Sequence, residues 1–598
     1  MNKTLLLCML PALSHAAVVI HSLETDKMVY RPGEPIRLTA QVENTAKAPC
    51  PVKIEIIRRD GIDNTASEPS GATLKPGRQT LKYQFTAQGE YGKEFQLVIR
   101  DRDRTSERSV LCEVYPGLIK FPRIQVLCVD SGYYLSYPDK SIVRNAAQYK
   151  KSYCNILKFF EWMPVWSEVV PTTDWWFSPR WKNDISKRRM KEIEKFKVSK
   201  ARIIKWKQEL QKNGIKLIGY DNLTVAPGYI WQKYGRLIDP QTRKPMRLWF
   251  RWDDLYSPNT DRYAPEYGRK MRQSVEMFGW DGFFHDSFVG WSRRTAKALN
   301  EQGGKATELN YDGVQSKVLG EIERNLKDIA PDFIQMVNGL PWEVMSLQKE
   351  VEGKMLRITD RDTLKSELIR NREKFDPLTA KHPNIIWMSE VVTSKPANRL
   401  YHTFGLIHQS VRQFTSQVVS NSSLSYRKWD KAEDFAPALA MYYANGLGTY
   451  SRFNLNRECL EIYRKYTEFA IRYSEFIFDP QLKWIDEKSV SASVPEICFA
   501  DTSFVKKDGE KIICCMNLLN LPANRDFFKG EHEKPEIRKN FRITCRIPAG
   551  FSGIRCHVLS PDNGGKPLEL KVREDNGTAS VTVPELEYWD LLIWQFTK

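Results

Sequence analysis

A (β/α)8 TIM barrel flanked by an N-terminal immunoglobulin-like β-sandwich and a C-terminal antiparallel β-sandwich is the architecture that this 598-residue sequence predicts. Three observations lead there. The chain is too long for one ordinary hydrophobic core. Its middle, from about Phe121 to Asp479, alternates short apolar strands, polar loops and long amphipathic helices, the rhythm of a parallel sheet wrapped by helices. Its two ends instead alternate apolar and polar residues with Gly, Pro and Asn turns, the period of half-buried antiparallel strands.

Residues 1–16 read as a secretion signal. Met1-Asn2-Lys3 gives a positive start, Leu5 to Leu13 an apolar stretch, and Ser14-His15-Ala16 a small-x-small cleavage site. The apolar part is too short to span a bilayer. No later run is long enough for a membrane helix, so the mature chain is expected to be exported and not an integral membrane protein. Residues 17–120 form the expected immunoglobulin-like sandwich, with strands IRLTAQVEN, PVKIEIIRR, TLKYQFTA and EFQLVIRD. No cluster of catalytic residue types falls in it, so scaffolding is its expected role, with glycan binding a weaker option. Cys50 and Cys112 lie there and could pair.

The barrel is expected over residues 121–481. Its candidate strands are Ile124 to Asp130, Asn155 to Phe160, Lys216 to Tyr220, Gly282 to Asp286, Phe333 to Asn338, Ile385 to Glu390, Gln417 to Ser420 and Leu447 to Arg452. No GxGxxG follows any of them, so a dinucleotide fold is not indicated. The strand ends are chemically loaded with Asp130, Glu161, Asp221, Asp286, Asn338 and Glu390, and the loops behind them are rich in Trp and Tyr. Residues 482–598 return to period two, with strands such as KIICCMNLL, FRITCRIP and DLLIWQF, and read as the C-terminal sandwich.

Composition narrows the function. The net charge is +18 with pI near 9.2, but its densest run, Arg180 to Lys216, is interleaved with Ile203, Ile204 and Leu210. That pattern suits an amphipathic helix with a solvated basic face. No nucleic-acid motif accompanies the charge, so no nucleic-acid partner is expected. No CxxC or HExxH spacing appears, so a zinc site has no support, and no metal or cofactor is expected. Oligomeric state is not legible.

Acids at strand ends beside aromatic residues are the composition of a sugar site. Acidic groups at the C-terminal ends of barrel strands are where such enzymes keep their chemistry. Cleaving a glycosidic bond needs two carboxyl groups, one protonated to assist the leaving oxygen and one to attack or to activate water. Asp286, in FGWDGFFHDS, and Glu390, in IIWMSEVV, are the candidate pair. Asp281, in the Gly-Trp-Asp-Gly turn, is read as structural. Glu161 and Asp221 are candidates for binding sugar hydroxyls, Trp162, Trp249 and Trp342 for stacking on sugar rings, and His285 and Asn338 for lining the substrate site. If Asp286 points into the barrel mouth, His285 belongs to the opposite strand face.

These segments also carry a resemblance to glycoside hydrolase family 66, the family of dextranases and cycloisomaltooligosaccharide glucanotransferases. YCNILKFFEW is similar to its Tyr-Asn-Ile-x-Gly-x-Gln-Phe-Tyr-Asp-Trp segment, and KNGIKLIGYDN resembles one that ends Ala-Tyr-Asn. FGWDGFFHDS resembles the Phe-Asp-Gly-Trp-x-x-Asp-Thr stretch that bears the nucleophile, and IIWMSEVV the Tyr-x-Glu-x-Trp segment that bears the acid/base. The resemblance implies that Asp286 is the nucleophile and Glu390 the acid/base of a retaining hydrolase acting on a glucan, α-1,6-linked in this family. Ser287-Phe288-Val289-Gly290 replaces the usual Thr-x-Gly, and Val392 stands at the family's Trp. A transglycosylase and an inactive glycan-binding relative remain open beside hydrolysis.

Overall fold

The structure, a computed structural model, describes residues 18–116 apart from 63 and 103, then 123, 125–130, 138–160, 162–177, 197–222, 228–246, 263–286, 299–308, 311–338, 348–351, 354–357, 385–390, 418–421, 432–444, 446, 448–451, 456–479, 481–484, 490–493, 503–520 and 534–598. The expected signal segment, residues 1–16, lies outside the described residues. The chain divides into two compact units, one ending at Val114 and one starting at Tyr115.

In the first unit two sheets share one core. Val18–Thr25, Pro35–Asn44 and Gly77–Thr86 form a three-stranded sheet. Val29–Tyr30, Arg104–Val114, Tyr91–Asp101, Cys50–Asp60 and Asn64–Leu74 form a five-stranded one, in that order. Alternation builds the core: Ile36, Leu38, Ala40, Val42 and Asn44 of one strand are buried while their neighbours reach towards water. Asn44 is the polar member of that row, and its amide donates to the Leu74 and Ala48 carbonyls, which satisfies a buried polar group. Cys50 and Cys112 sit in this core as free thiols, so the pairing that the sequence allows is not made.

In the second unit eight parallel strands close into a barrel in chain order. They are Gln125–Asp130, Ile156–Phe160, Lys216–Asn222, Gly282–Asp286, Ile334–Asn338, Ile385–Glu390, Val418–Asn421 and Gly448–Ser451. Closure is made by Thr449 of strand eight pairing with Gln125 of strand one. Described helices follow strands one to four, seven and eight, among them Lys200–Lys212, Tyr263–Phe278 and Arg457–Arg472. Ser199 caps the first of these by accepting from the Arg202 N–H. That helix buries Ile203, Trp206 and Leu210 but leaves Ile204 exposed, so the apolar stripe is narrower than its sequence implies.

The C-terminal part folds as a six-stranded and a four-stranded sheet around Met516, Leu518, Phe541, Ile543, Val581 and Trp594. It docks on the barrel's last long helix. Asp562 accepts from Tyr466 at 2.8 Å and Lys465 at 3.1 Å, Tyr473 donates to the Gly565 carbonyl, and the Trp589 ring meets Phe469 edge-on at 4.9 Å.

Candidate active site

Asp286 ends barrel strand four, and two local features set its position. At the strand's entry the Asp281 carboxylate accepts from the Leu217 N–H at 2.8 Å and from the Lys207 ammonium, which ties the turn to strand three. Asp281 is thus structural. At the next residue a Cβ on Gly282 would lie 2.4 Å from the Ile334 carbonyl oxygen, so only glycine lets strands four and five approach this closely.

Period two then sorts the strand's side chains between the two faces of the barrel. Phe284 and Asp286 face the lumen with Tyr220 of strand three and Asn338 of strand five. The Tyr220 hydroxyl donates to one Asp286 oxygen at 2.6 Å and the Asn338 amide donates to the other at 2.6 Å. Two neutral donors therefore fix the orientation of the half-buried carboxylate. Asn222, at the end of strand three, is in register with Asp286.

The outer face receives three residues that the sequence reading assigns to the substrate, and each is a correction. His285 is fully buried and stacks on Phe283, with neither ring nitrogen in hydrogen-bond geometry with a partner. Burial pulls its pKa down to about 3 against a small opposing pull from Gln335, so the ring is a neutral core group. Asp221 faces Tyr267 of helix Tyr263–Phe278, whose hydroxyl donates to it, and burial pushes its pKa up to about 7. Trp162 has no exposed surface. Its indole fills the gap left by Gly219, donates to the Tyr220 carbonyl at 3.0 Å and packs among Trp176, Phe278, Trp280 and Phe283. No sugar can reach any of the three.

Glu390 closes strand six, in register with Asn421 of strand seven, and its side chain lies outside the described residues. Glu161, Trp249 and Trp342 lie outside them too. The structure thus brings together Asp286 and Asn338 of the expected set. It adds Tyr220, which the sequence reading passed over. Counting by twos back from Asn222, which pairs with Asp286, would have found it. Among the described residues, no group of His, Cys, Asp and Glu side chains is arranged to hold a metal ion, and no helix is long and apolar enough to cross a membrane.

Comparison with known proteins agrees with the resemblance seen in the sequence. Glycosyl hydrolase family 66 matches residues 440–593, from the helix before barrel strand eight into the last strand of the chain. Among solved structures, a cycloisomaltooligosaccharide glucanotransferase of Paenibacillus sp., complexed with cycloisomaltoheptaose, is 13% identical with a TM-score of 0.67, over 96% of this chain and 100% of that one. A looser likeness is to a maltogenic α-amylase from Thermotoga neapolitana, at 12% identity and a TM-score of 0.41, over 80% of this chain and 100% of that one. No curated protein matches. The resemblance to family 66 therefore stands in sequence over the later part of the chain and in fold over nearly all of it.

Proposed function

From this likeness to glycoside hydrolase family 66 we propose that the chain is a secreted, retaining glycoside hydrolase that cleaves a glucan, with α-1,6 linkages the first to test. The observation that carries the reading is Asp286, held from both sides at the C-terminal end of barrel strand four. Glu390 ends strand six, with one strand between. Two inter-strand spacings are about 9–10 Å, and the carboxyl groups of a retaining pair stand roughly 5–5.5 Å apart.

In this mechanism one Asp286 oxygen attacks the anomeric carbon while protonated Glu390 gives its proton to the departing glycosidic oxygen. A glycosyl ester forms as the glycosidic bond breaks. Glu390, now a carboxylate, takes a proton from water, whose oxygen attacks the same carbon and releases Asp286. Configuration is retained because the carbon is inverted twice. A second reading is transfer to a sugar hydroxyl in place of water. The solved glucanotransferase that shares this fold favours it.

The test is product release from a panel of polysaccharides, dextran included, by wild type and Asp286→Asn. Activity on one substrate that the variant loses supports the hydrolase and gives the linkage, and products lengthened by added acceptor sugar mark transfer. A variant as active as an active wild type removes Asp286 from the chemistry. Binding of one glycan without cleavage makes the chain an inactive relative.

A further inference from the structure

We propose that Lys158 is a positioning residue for Asp286, acting through Tyr220; the inference rests on the reading of Asp286 as the nucleophile. Lys158 lies on barrel strand two and is 2% exposed. Its ammonium sits 3.7 Å from the ring centroid of Phe284, 5.1 Å from Tyr220 and 5.3 Å from Phe160. These rings come from strands four, three and two, so one cation is caged by three neighbouring staves of the barrel.

Taking an ammonium out of water is costly, and aromatic faces offset part of that cost. Part of what the charge does falls on Tyr220, whose ring the ammonium faces. Its ring is clamped edge-on by Phe160 at 4.5 Å and stacked with Phe284 at 5.8 Å, and its hydroxyl holds Asp286 at 2.6 Å. A cation over the π face draws electron density from the phenol and makes its O–H a stronger donor. It also fixes the three rings relative to one another, and with them the direction in which that O–H points. Lys158 thus aims and strengthens one of the two hydrogen bonds that orient the attacking carboxylate.

The test uses the full chain labelled with 3-fluorotyrosine, in which Tyr220→Phe identifies the Tyr220 fluorine signal. Lys158→Met is expected to displace that signal while the other tyrosine signals stay in place, and Asp286→Asn is expected to displace it as well. On the polysaccharide that the panel returns, Lys158→Met should lower kcat by no more than the about tenfold expected for loss of the Tyr220 hydrogen bond itself, with KM changed by less than about twofold. In a Tyr220→Phe background the same substitution should cost little more, because both remove one interaction. A Tyr220 signal unmoved by Lys158→Met overturns the proposal, and so do kcat losses that multiply in full. Should Lys158→Met fail to fold, Lys158→Gln carries the same readings. If wild type cleaves nothing, the nucleophile reading falls, while the fluorine signal still decides whether Lys158 acts on Tyr220.

Discussion

The two faces of barrel strands three to five carry similar residue types and treat them differently. On the lumen side, donors from two neighbouring strands converge on both oxygens of Asp286. On the helix side, Asp221 and His285 pair with each other in strand register, one position before Asn222 and Asp286, and both are sealed from water. Burial drives this outer acid and this outer base towards their neutral forms, Asp221 up to about 7 and His285 down to about 3. A single residue of pleat phase separates a carboxylate held towards the lumen from one absorbed into the core. In a barrel, the face a residue occupies matters more than its distance along the chain from the mouth.

The largest expected effect tests the inner face. Asp286→Asn should lower kcat by at least about ten-thousandfold and leave the melting temperature near that of wild type, since an amide oxygen still accepts from Tyr220. Retained activity would break the comparison at its centre. Next, Trp162→Ala should cost about 3–5 kcal/mol in denaturant unfolding, with KM for the cleaved polysaccharide unchanged. A raised KM with stability intact would return Trp162 to the substrate site.

Two variants of the outer face should show opposite pH slopes. The folded state keeps a proton on Asp221 up to about pH 7, whereas an unfolded aspartate releases it near 3.8. The contribution of Asp221 to stability is therefore intact below pH 3.8 and lost as pH rises to 7. The melting advantage of Asp221→Asn over wild type should grow across that window, to a few kcal/mol at about pH 7. His285 runs the other way. Unfolded histidine takes up a proton near 6.5 but the buried ring only near 3, so its contribution is intact above 6.5 and lost as pH falls. The advantage of His285→Phe should grow from pH 6.5 downwards. Melting curves across pH decide this, and slopes of the same sign would refute the assignment. The smallest effect is Tyr220→Phe, about tenfold in kcat from the loss of one hydrogen bond.

Much of the barrel is legible in the sequence because its strands are short apolar runs ending in polar residues, and Asp286 stands out by that position. Face is harder to read. Asp221 follows the expected strand three, which stops at Tyr220, yet the strand runs on to Asn222, and Asp221 turns towards Tyr267. Trp162 lies two residues past strand two in sequence but packs against the barrel's outer surface, which only the missing Cβ of Gly219 hints at. In the first unit, Asn64–Leu74 reads as a polar, strand-poor sequence and is nonetheless a full edge strand. Its partner Cys50–Asp60 supplies a continuous antiparallel backbone ladder, and a largely exposed edge asks little of its own side chains.

The seam where the barrel closes has a consequence for how the chain assembles. Strand one can find strand eight only after position 449 has been made, and the helix behind strand eight is anchored by Asp562 and Trp589 further on. The ring is joined by some of the most distant contacts in the second unit, and such contacts are slow to form. During synthesis the early staves wait as an open sheet with an unpaired edge, a state exposed to mispairing. The C-terminal sandwich, made later still, holds the helix behind strand eight through Asp562 and Trp589.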